Sequence, residues 1–290
     1  MKKIIWLFSL SIAFLITSFG SNGKILFNQI FKSNVLNEEV LYNVYLPPDY
    51  NTEKEYPVLF YLHWFGGDNN AANELIIYFD SLITSNQFPE LIIITPNAKI
   101  CWYIDDYAGK YKYSTFFTSE FLPYVNKEYN LTSNPKKRAI MGNSMGGFGA
   151  LRFTMLQPQQ FGICVSSMAG ISTKDQIVND NDEDYITYHQ NLYGNNLKGK
   201  DRLNDHFINN NPLYIAEKMD SEILRNIKWF IHTCDDDYHS LPNAELHSLF
   251  HRKWVKHEFR VTDGGHDGEC VMKSLDDTIE FLKINLSFSN

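Results

Sequence analysis

The sequence contains few cysteines. Its 290 residues include only Cys101, Cys164, Cys234 and Cys270, and no two of them have the C-x-x-C spacing that is typical of zinc sites. Four cysteines are too few for a disulfide scaffold in a chain of this length. We expect Cys164, which lies in an apolar segment, to be a buried thiol. Whether Cys234 and Cys270 are bonded to each other stays open.

Positive charge is also scarce. Lysine and arginine number 26 against 34 acidic residues, which gives a formal net charge of −8. Proteins that bind the phosphate backbone of nucleic acids need clustered basic residues, and the short PKKR segment at 135–138 leads directly into an apolar run. No nucleic-acid partner is expected. The sequence implies no metal and no cofactor.

Long apolar runs are absent except at the N-terminus. Lys2 and Lys3 precede an almost wholly apolar stretch, 4–16, and the small residues Ser18 and Gly20 follow. This is the pattern of a cleaved signal peptide. An uncleaved anchor is the alternative, but the stretch is short for a membrane span of about 20 residues. We expect residues 1–20 to be removed and the protein to be secreted or periplasmic, without a stable membrane anchor.

The rest of the chain alternates between strand-like and helix-like segments, without an internal repeat or an obvious linker. Continuous apolar runs are typical of strands that are buried on both faces, and three of them are Tyr56–Trp64, Leu91–Asn97 and Gly162–Gly170. Tyr113–Tyr129 carries apolar residues at intervals of three and four, as in a helix. This predicts an α/β fold with a mostly parallel sheet and helices on both faces, in a single domain of residues 21–290.

Two later regions complete the predicted fold. A polar segment at about 171–211 has little clear periodicity and is too long for a plain connection, so we expect an insertion or lid near the active site. Two further strands are predicted at 227–234 and 257–263, with a helix between them. A final helix is expected over about 272–284.

Residues 142–146 read GNSMG and fit the G-x-S-x-G pattern. They join a predicted strand, Arg138–Met141, to a predicted helix that begins at Met145. In such a motif the nucleophile occupies a sharp turn, and side chains two residues away on either side would collide with neighbouring elements. Ser144 is therefore the predicted nucleophile, exposed above the sheet at the positive end of a helix. A glycine-rich turn that only packs a helix against a strand is the structural alternative.

A serine nucleophile needs a base, and the base needs a carboxylate that fixes its tautomer. His266 follows the last strand in a GGHD segment and is the predicted base. Asp235, Asp236 and Asp237 follow another strand, at the sheet edge where open α/β folds carry their sites. The pattern itself does not choose among the three. The chain order Ser, Asp, His is that of α/β hydrolases.

Stabilising the reaction's oxyanion needs two backbone amides. One is expected from Met145, directly after the nucleophile. The other is expected from Phe65, because the HWFGGD segment at 63–68 has glycines that let the backbone approach a substrate closely. His63, at the start of this segment, is expected to support it.

At this point the residues resemble the esterase D and feruloyl esterase-like family of the α/β-hydrolase superfamily, over about Val40–Leu282. The resemblance implies an α/β-hydrolase fold and favours Asp237, which precedes the aromatic Tyr238, as the acid. The chain departs from the family pattern at Trp64, where glycine is usual, and after His266, where tryptophan is common. The likeness depends on these motifs: PVLFYLHWFGGD, WY at 102–103, STFFTSEFLPYVNKEY, RAIMGNSMGGFGAL, NNPLYIAEKM, CDDDYHSLPNAELHSLF and GGHD.

The resemblance and the expected export together imply a serine carboxylesterase that hydrolyses feruloyl or acetyl esters of plant cell-wall carbohydrate. Its partner would be a small or polysaccharide-linked ester. Trp64, Trp102 and Tyr103 could stack on a sugar or an aromatic acyl group, or could belong to the core. The alternatives are an S-formylglutathione hydrolase-like enzyme, an esterase of siderophore esters, and a non-catalytic carbohydrate-binding protein on the same fold.

Overall fold

A computed structural model of the protein describes residues 22–287, so the predicted signal peptide lies outside the described residues. Among the described residues, no helix is long and apolar enough to cross a membrane. Eight strands form one sheet: β1 (Lys24–Ser33), β2 (Glu38–Leu46), β3 (Val58–Leu62), β4 (Ile92–Pro96), β5 (Arg138–Asn143), β6 (Ile163–Ser167), β7 (Lys228–Cys234) and β8 (His257–Thr262).

The strands lie in the order β1-β2-β4-β3-β5-β6-β7-β8. The pairs β1–β2 and β2–β4 are antiparallel, and all the other neighbours are parallel. The predicted mostly parallel sheet is therefore confirmed. Because parallel strands end at the same edge, the loops after β3, β5, β7 and β8 meet there.

The sheet separates two apolar cores. Alternate residues of a strand point to opposite faces, and in β3 Phe60 belongs to one core while Leu59 belongs to the other. The predicted helices on both faces are present. The α-helices are α1 (Asn73–Thr84), α2 (Tyr113–Phe116), α3 (Leu122–Glu128), α4 (Met145–Leu156), α5 (Lys174–Asn179), α6 (Asp182–Asp184), α7 (Gln190–Tyr193), α8 (Asp205–Asn210), α9 (Pro212–Lys218), α10 (Ser221–Arg225), α11 (Ser240–Arg252), α12 (Gly268–Lys273) and α13 (Leu275–Ser287).

The helices differ from the prediction in three places. The expected helix at 113–129 contains a π-helical turn at Phe117–Phe121. The final helix begins earlier than expected and is interrupted at Ser274, which separates α12 from α13. The polar insertion, whose sequence has little clear helical periodicity, contains α5 to α8, a second π-helical turn at Tyr185–His189 and a 3-10 turn at Gly199–Arg202.

The turn between β5 and α4 is too crowded for side chains on its two flanking glycines. A β-carbon on Gly142 would lie 2.4 Å from the carbonyl carbon of Gly146, and one on Gly146 would lie 1.9 Å from the carbonyl oxygen of Leu62 in β3. Both obstacles are backbone atoms, so no rotamer change can relieve the overlap. The two glycines thus let α4 start directly against the central strands.

We predict that Gly146→Ala lowers the free energy of unfolding by about 3 kcal/mol or more, because the added methyl group forces the backbone of β3 and α4 apart. The matched control is Gly268→Ala in the first turn of α12, where an added β-carbon meets nothing within 4 Å. In that variant the free energy of unfolding should stay within about 0.5 kcal/mol of the wild-type value. Urea unfolding of the three proteins checks this, and equal midpoints would contradict the packing described for the turn.

Candidate active site

Ser144 occupies a strained turn at the carboxyl edge of the sheet. Its φ of 55° lies in the left-handed region, which is unfavourable for a residue with a β-carbon. Hydrogen bonds hold this conformation, since the Ser144 amide donates to the carbonyl of Ser167 (2.9 Å) and the Ser144 carbonyl accepts from the amides of Phe148 (2.9 Å) and Gly170 (3.1 Å). The serine is therefore fixed between β5 and α4, as the G-x-S-x-G pattern predicts.

The structure brings Ser144, His266 and Asp237 into one hydrogen-bonded chain. His266 Nε2 lies 2.8 Å from Ser144 Oγ, and His266 Nδ1 lies 2.8 Å from Asp237 Oδ2. The two loops meet because His266 follows β8, Asp237 follows β7, and these strands are parallel neighbours. This is the arrangement in which an imidazole can take a proton from a serine hydroxyl while a carboxylate fixes its tautomer.

The other two aspartates of the acidic trio do not reach His266. Asp235 and Asp236 are exposed, and Asp235 Oδ1 accepts a hydrogen bond from the amide of Gly264. Asp236 bonds through its backbone amide to the Gly264 carbonyl. These two carboxylates and Asp263 lie close together, as exposed acidic groups commonly do without a metal.

Asp237 is buried but remains suited to carry a negative charge. Burial alone would raise its pKa, but hydrogen bonds from His266 and from the His239 amide (2.8 Å) outweigh burial and lower it. No sequence pattern pointed to His239. Its ring lies 5.3 Å from that of His266, and its Nδ1 bonds to the carbonyl of Ile171 (2.8 Å). Burial lowers the pKa of His239 to about 4, so the ring is neutral.

The two amides predicted to hold an oxyanion are free of protein partners among residues 22–287. Neither the Met145 amide nor the Phe65 amide donates a hydrogen bond to a described residue. Met145 is the first residue of α4, so its N–H lacks an intrahelical acceptor. Both N–H groups therefore keep an unused donor within the described part of the chain.

His63 fixes the peptide group that contains the Phe65 amide. The Ala98 amide donates to His63 Nε2 (2.8 Å), so the neutral ring carries its proton on Nδ1, and this proton is donated to the Trp64 carbonyl (2.8 Å). Burial lowers the pKa of His63 and keeps the ring neutral. In a trans peptide the carbonyl and the next N–H point in opposite directions. The Phe65 N–H therefore points away from His63.

A disulfide bond joins Cys234 and Cys270, which answers the question left open by the sequence. Cys234 ends β7, three residues before Asp237, and Cys270 lies in α12, four residues after His266. The bond thus ties together the two segments that carry Asp237 and His266. Cys164 is a buried free thiol, as expected.

The three aromatic residues predicted to bind substrate have different environments. Trp64 is 41% exposed, in the loop that carries the Phe65 amide. Trp102 is only 5% exposed and packs against Gly170, next to Ser144. Tyr103 is 0% exposed, and its hydroxyl donates to the His63 carbonyl (3.0 Å). The prediction is corrected for Tyr103, because a wholly enclosed ring that supports the β3 end has no surface for a substrate.

The polar insertion reaches this edge of the sheet. Tyr188, in the π-helical turn, packs against Phe65 with ring centroids 5.3 Å apart. Phe65 in turn lies 6.3 Å from Trp102. The insertion therefore covers part of the loop whose amide is free, at the same edge of the sheet as Ser144.

Comparison with known proteins identifies an esterase family and esterase structures that are similar to this chain. The chain matches the family described as "Putative esterase" over residues 33–279. The solved structure of a ferulic acid esterase is 31% identical, with a TM-score of 0.76, and the match covers 92% of this chain and 99% of that chain. A fluorophosphonate-binding serine hydrolase of Staphylococcus aureus has a TM-score of 0.73 over 90% of this chain and 99% of that chain. At 20% identity this second likeness shows the fold alone.

Two curated relatives match over shorter stretches. An acetyl esterase of Caldicellulosiruptor saccharolyticus is 24% identical over 196 residues, which is 66% of this chain and 71% of that protein. An esterase of Mycobacterium tuberculosis is 32% identical over 119 residues, 38% of this chain, and the match spans only 25% of that relative's length. Because the family match extends over most of the chain, the protein belongs to this esterase family and has the α/β-hydrolase fold.

Proposed function

We propose that the protein is a serine carboxylesterase in which Ser144, His266 and Asp237 form the catalytic triad. One observation carries the proposal, namely the continuous hydrogen-bonded chain from Ser144 Oγ through both ring nitrogens of His266 to Asp237. A serine, an imidazole and a buried carboxylate in this order are the groups that ester hydrolysis by covalent catalysis requires.

The geometry supports a two-step reaction. His266 Nε2 removes the proton of Ser144 as Oγ attacks the ester carbonyl, and Asp237 stabilises the resulting imidazolium. The amides of Met145 and Phe65 stabilise the oxyanion. His266 then protonates the leaving alcohol. Water, activated by His266, attacks the acyl-enzyme, releases the acid and restores Ser144.

Acyl esters of plant cell-wall carbohydrate, feruloyl or acetyl, are the proposed substrates. The ferulic acid esterase and the acetyl esterase among the relatives support this choice through their names. The N-terminal pattern at 1–20 supports export, which would bring the enzyme to polymeric carbohydrate outside the cell. Trp64 and Phe65 lie in the loop with the free amide, and Tyr188 of the insertion packs against Phe65. Their aromatic side chains suit a substrate with flat apolar surfaces.

We expect the wild type to hydrolyse methyl ferulate and p-nitrophenyl acetate, and Ser144→Ala to lose about 10⁴-fold or more of kcat/KM on both. Alanine keeps the β-carbon, so the strained turn is unchanged and the unfolding midpoint should stay close to that of the wild type. Cleavage of p-nitrophenyl acetate but not of methyl ferulate would be consistent with the proposed mechanism but would indicate that short acyl esters are the substrates. A mutant as active as the wild type would show that Ser144 is not the nucleophile.

The three neighbouring aspartates allow a matched test of the acid. Asp237→Asn should lower kcat by about 10³- to 10⁴-fold with little change in KM, because the amide cannot hold the His266 tautomer or stabilise its cation. Asp236→Asn removes one exposed charge from the same loop and should change kcat less than about twofold. Steady-state kinetics on p-nitrophenyl acetate decide this. Equal losses in both variants would exclude a specific role for Asp237.

A further inference from the structure

The insertion carries a second histidine–carboxylate pair that the proposed reaction does not use. His189 Nδ1 lies 3.0 Å from Asp180 Oδ2, and the two side chains are only 12% and 11% exposed. A carboxylate at Nδ1 fixes the orientation of the ring and keeps a proton on that nitrogen. The other nitrogen, Nε2, has no hydrogen-bond partner within the described part of the chain and is not sealed from solvent.

This pair is linked to the Ser144 turn through Trp102. The His189 ring is 6.0 Å from that of Trp102, whose edge packs against Gly170 next to the Ser144 backbone. The His189 ring also lies 6.5 Å from that of Tyr188. His189 therefore contacts both Trp102, which packs at the Ser144 turn, and Tyr188, which packs against Phe65.

The pair is held rigidly. Arg202, which is 1% exposed, donates a hydrogen bond to the backbone carbonyl of Asp180 (2.5 Å), and its guanidinium lies 4.1 Å from the centre of the Tyr185 ring. Tyr185 begins the π-helical turn that ends at His189, and π-helical turns occur frequently at functional sites. A buried arginine thus holds the backbone of Asp180 and the start of the turn that carries His189, which is the preorganisation that a binding residue needs.

The neighbouring groups define the chemistry that His189 would contact. Phe65 provides both a free amide for the ester carbonyl and a partly exposed ring, and Tyr188 packs against this ring with an exposed side chain. Groups on the Phe65 side of Ser144 face the acyl part of the ester, because the leaving alcohol must lie beside His266, which protonates it. A flat acyl group next to Phe65 and Tyr188 would extend towards His189.

We propose that His189, oriented by Asp180, is a specificity-determining residue that binds the ring hydroxyl of a hydroxycinnamoyl acyl group. The inference rests on the proposed function, since it assigns a subsite to the proposed catalytic serine. A hydroxyl fits the free Nε2 in either state of the ring, because it donates to the neutral imidazole and accepts from the cation. An acyl group without a hydroxyl would leave Nε2 to water.

The test compares kcat/KM for methyl 4-hydroxycinnamate and methyl cinnamate, which differ only in the ring hydroxyl. The wild type should have a kcat/KM about five- to tenfold higher on the hydroxylated ester, because one hydrogen bond to the hydroxyl contributes about 1 kcal/mol. In His189→Phe, which keeps an aromatic ring, the preference should fall to about one while the rate on methyl cinnamate changes less than about twofold. Asp180→Asn, a milder change, should lower the preference in the same direction.

The matched control is His206→Phe, which removes another histidine of the insertion, one that bonds to the Asp105 carbonyl. It should keep the wild-type preference. A loss of activity on both esters alike would indicate a structural role of the pair. A preference that is absent in the wild type, or that persists in His189→Phe, would overturn the inference but leave the triad intact. Cleavage of p-nitrophenyl acetate without either cinnamoyl ester would instead overturn the proposed aromatic substrate, and the subsite with it.

Discussion

The turn at Ser144 is the constraint on which the rest of the site depends. A left-handed conformation at a residue with a β-carbon costs about 1–3 kcal/mol, and it persists because β6 and the segment after it hold the Ser144 backbone through Ser167 and Gly170. The same turn requires Gly146 to lie against Leu62. The register of β3, β5 and β6 therefore determines where the hydroxyl projects, and His266 and Asp237 have to meet it at that point.

Buried neutral histidines support this edge of the sheet. His63 orients the peptide group that contains the Phe65 amide. His232, on β7, links Ser167 of β6 to Thr262 of β8. His239, which follows Asp237, bonds to Ile171 at the start of the insertion. Burial lowers the pKa of each of these rings. Imidazoles that stay neutral keep a fixed donor and a fixed acceptor, so they act as rigid connectors. In the proposed mechanism, proton transfer at Ser144 is then left to His266.

Local patterns predicted most of the sheet and the main site residues, because they are properties of short segments. Apolar runs predicted the strands, and the G-x-S-x-G pattern between a predicted strand and a predicted helix indicated Ser144 as the nucleophile. The choice of Asp237 over Asp235 and Asp236 needed the resemblance, since all three carboxylates have the same sequence environment and only the loop geometry distinguishes them. Tyr103 was predicted to bind substrate because an aromatic residue next to Trp102 can face either the substrate or the core. The structure places it in the core. His239, and the pairing of His189 with Asp180, depend on contacts between distant segments that no local pattern records.

The most direct measurement of the central claim is covalent labelling with a fluorophosphonate, followed by intact mass and peptide mapping. Such a reagent modifies a serine only where a base activates it and an oxyanion site stabilises the adduct. The structure predicts one adduct per chain, on Ser144, and none in Ser144→Ala under the same conditions. An unlabelled wild type, or a label on another residue, would contradict the assignment of Ser144, His266 and Asp237 as the catalytic groups.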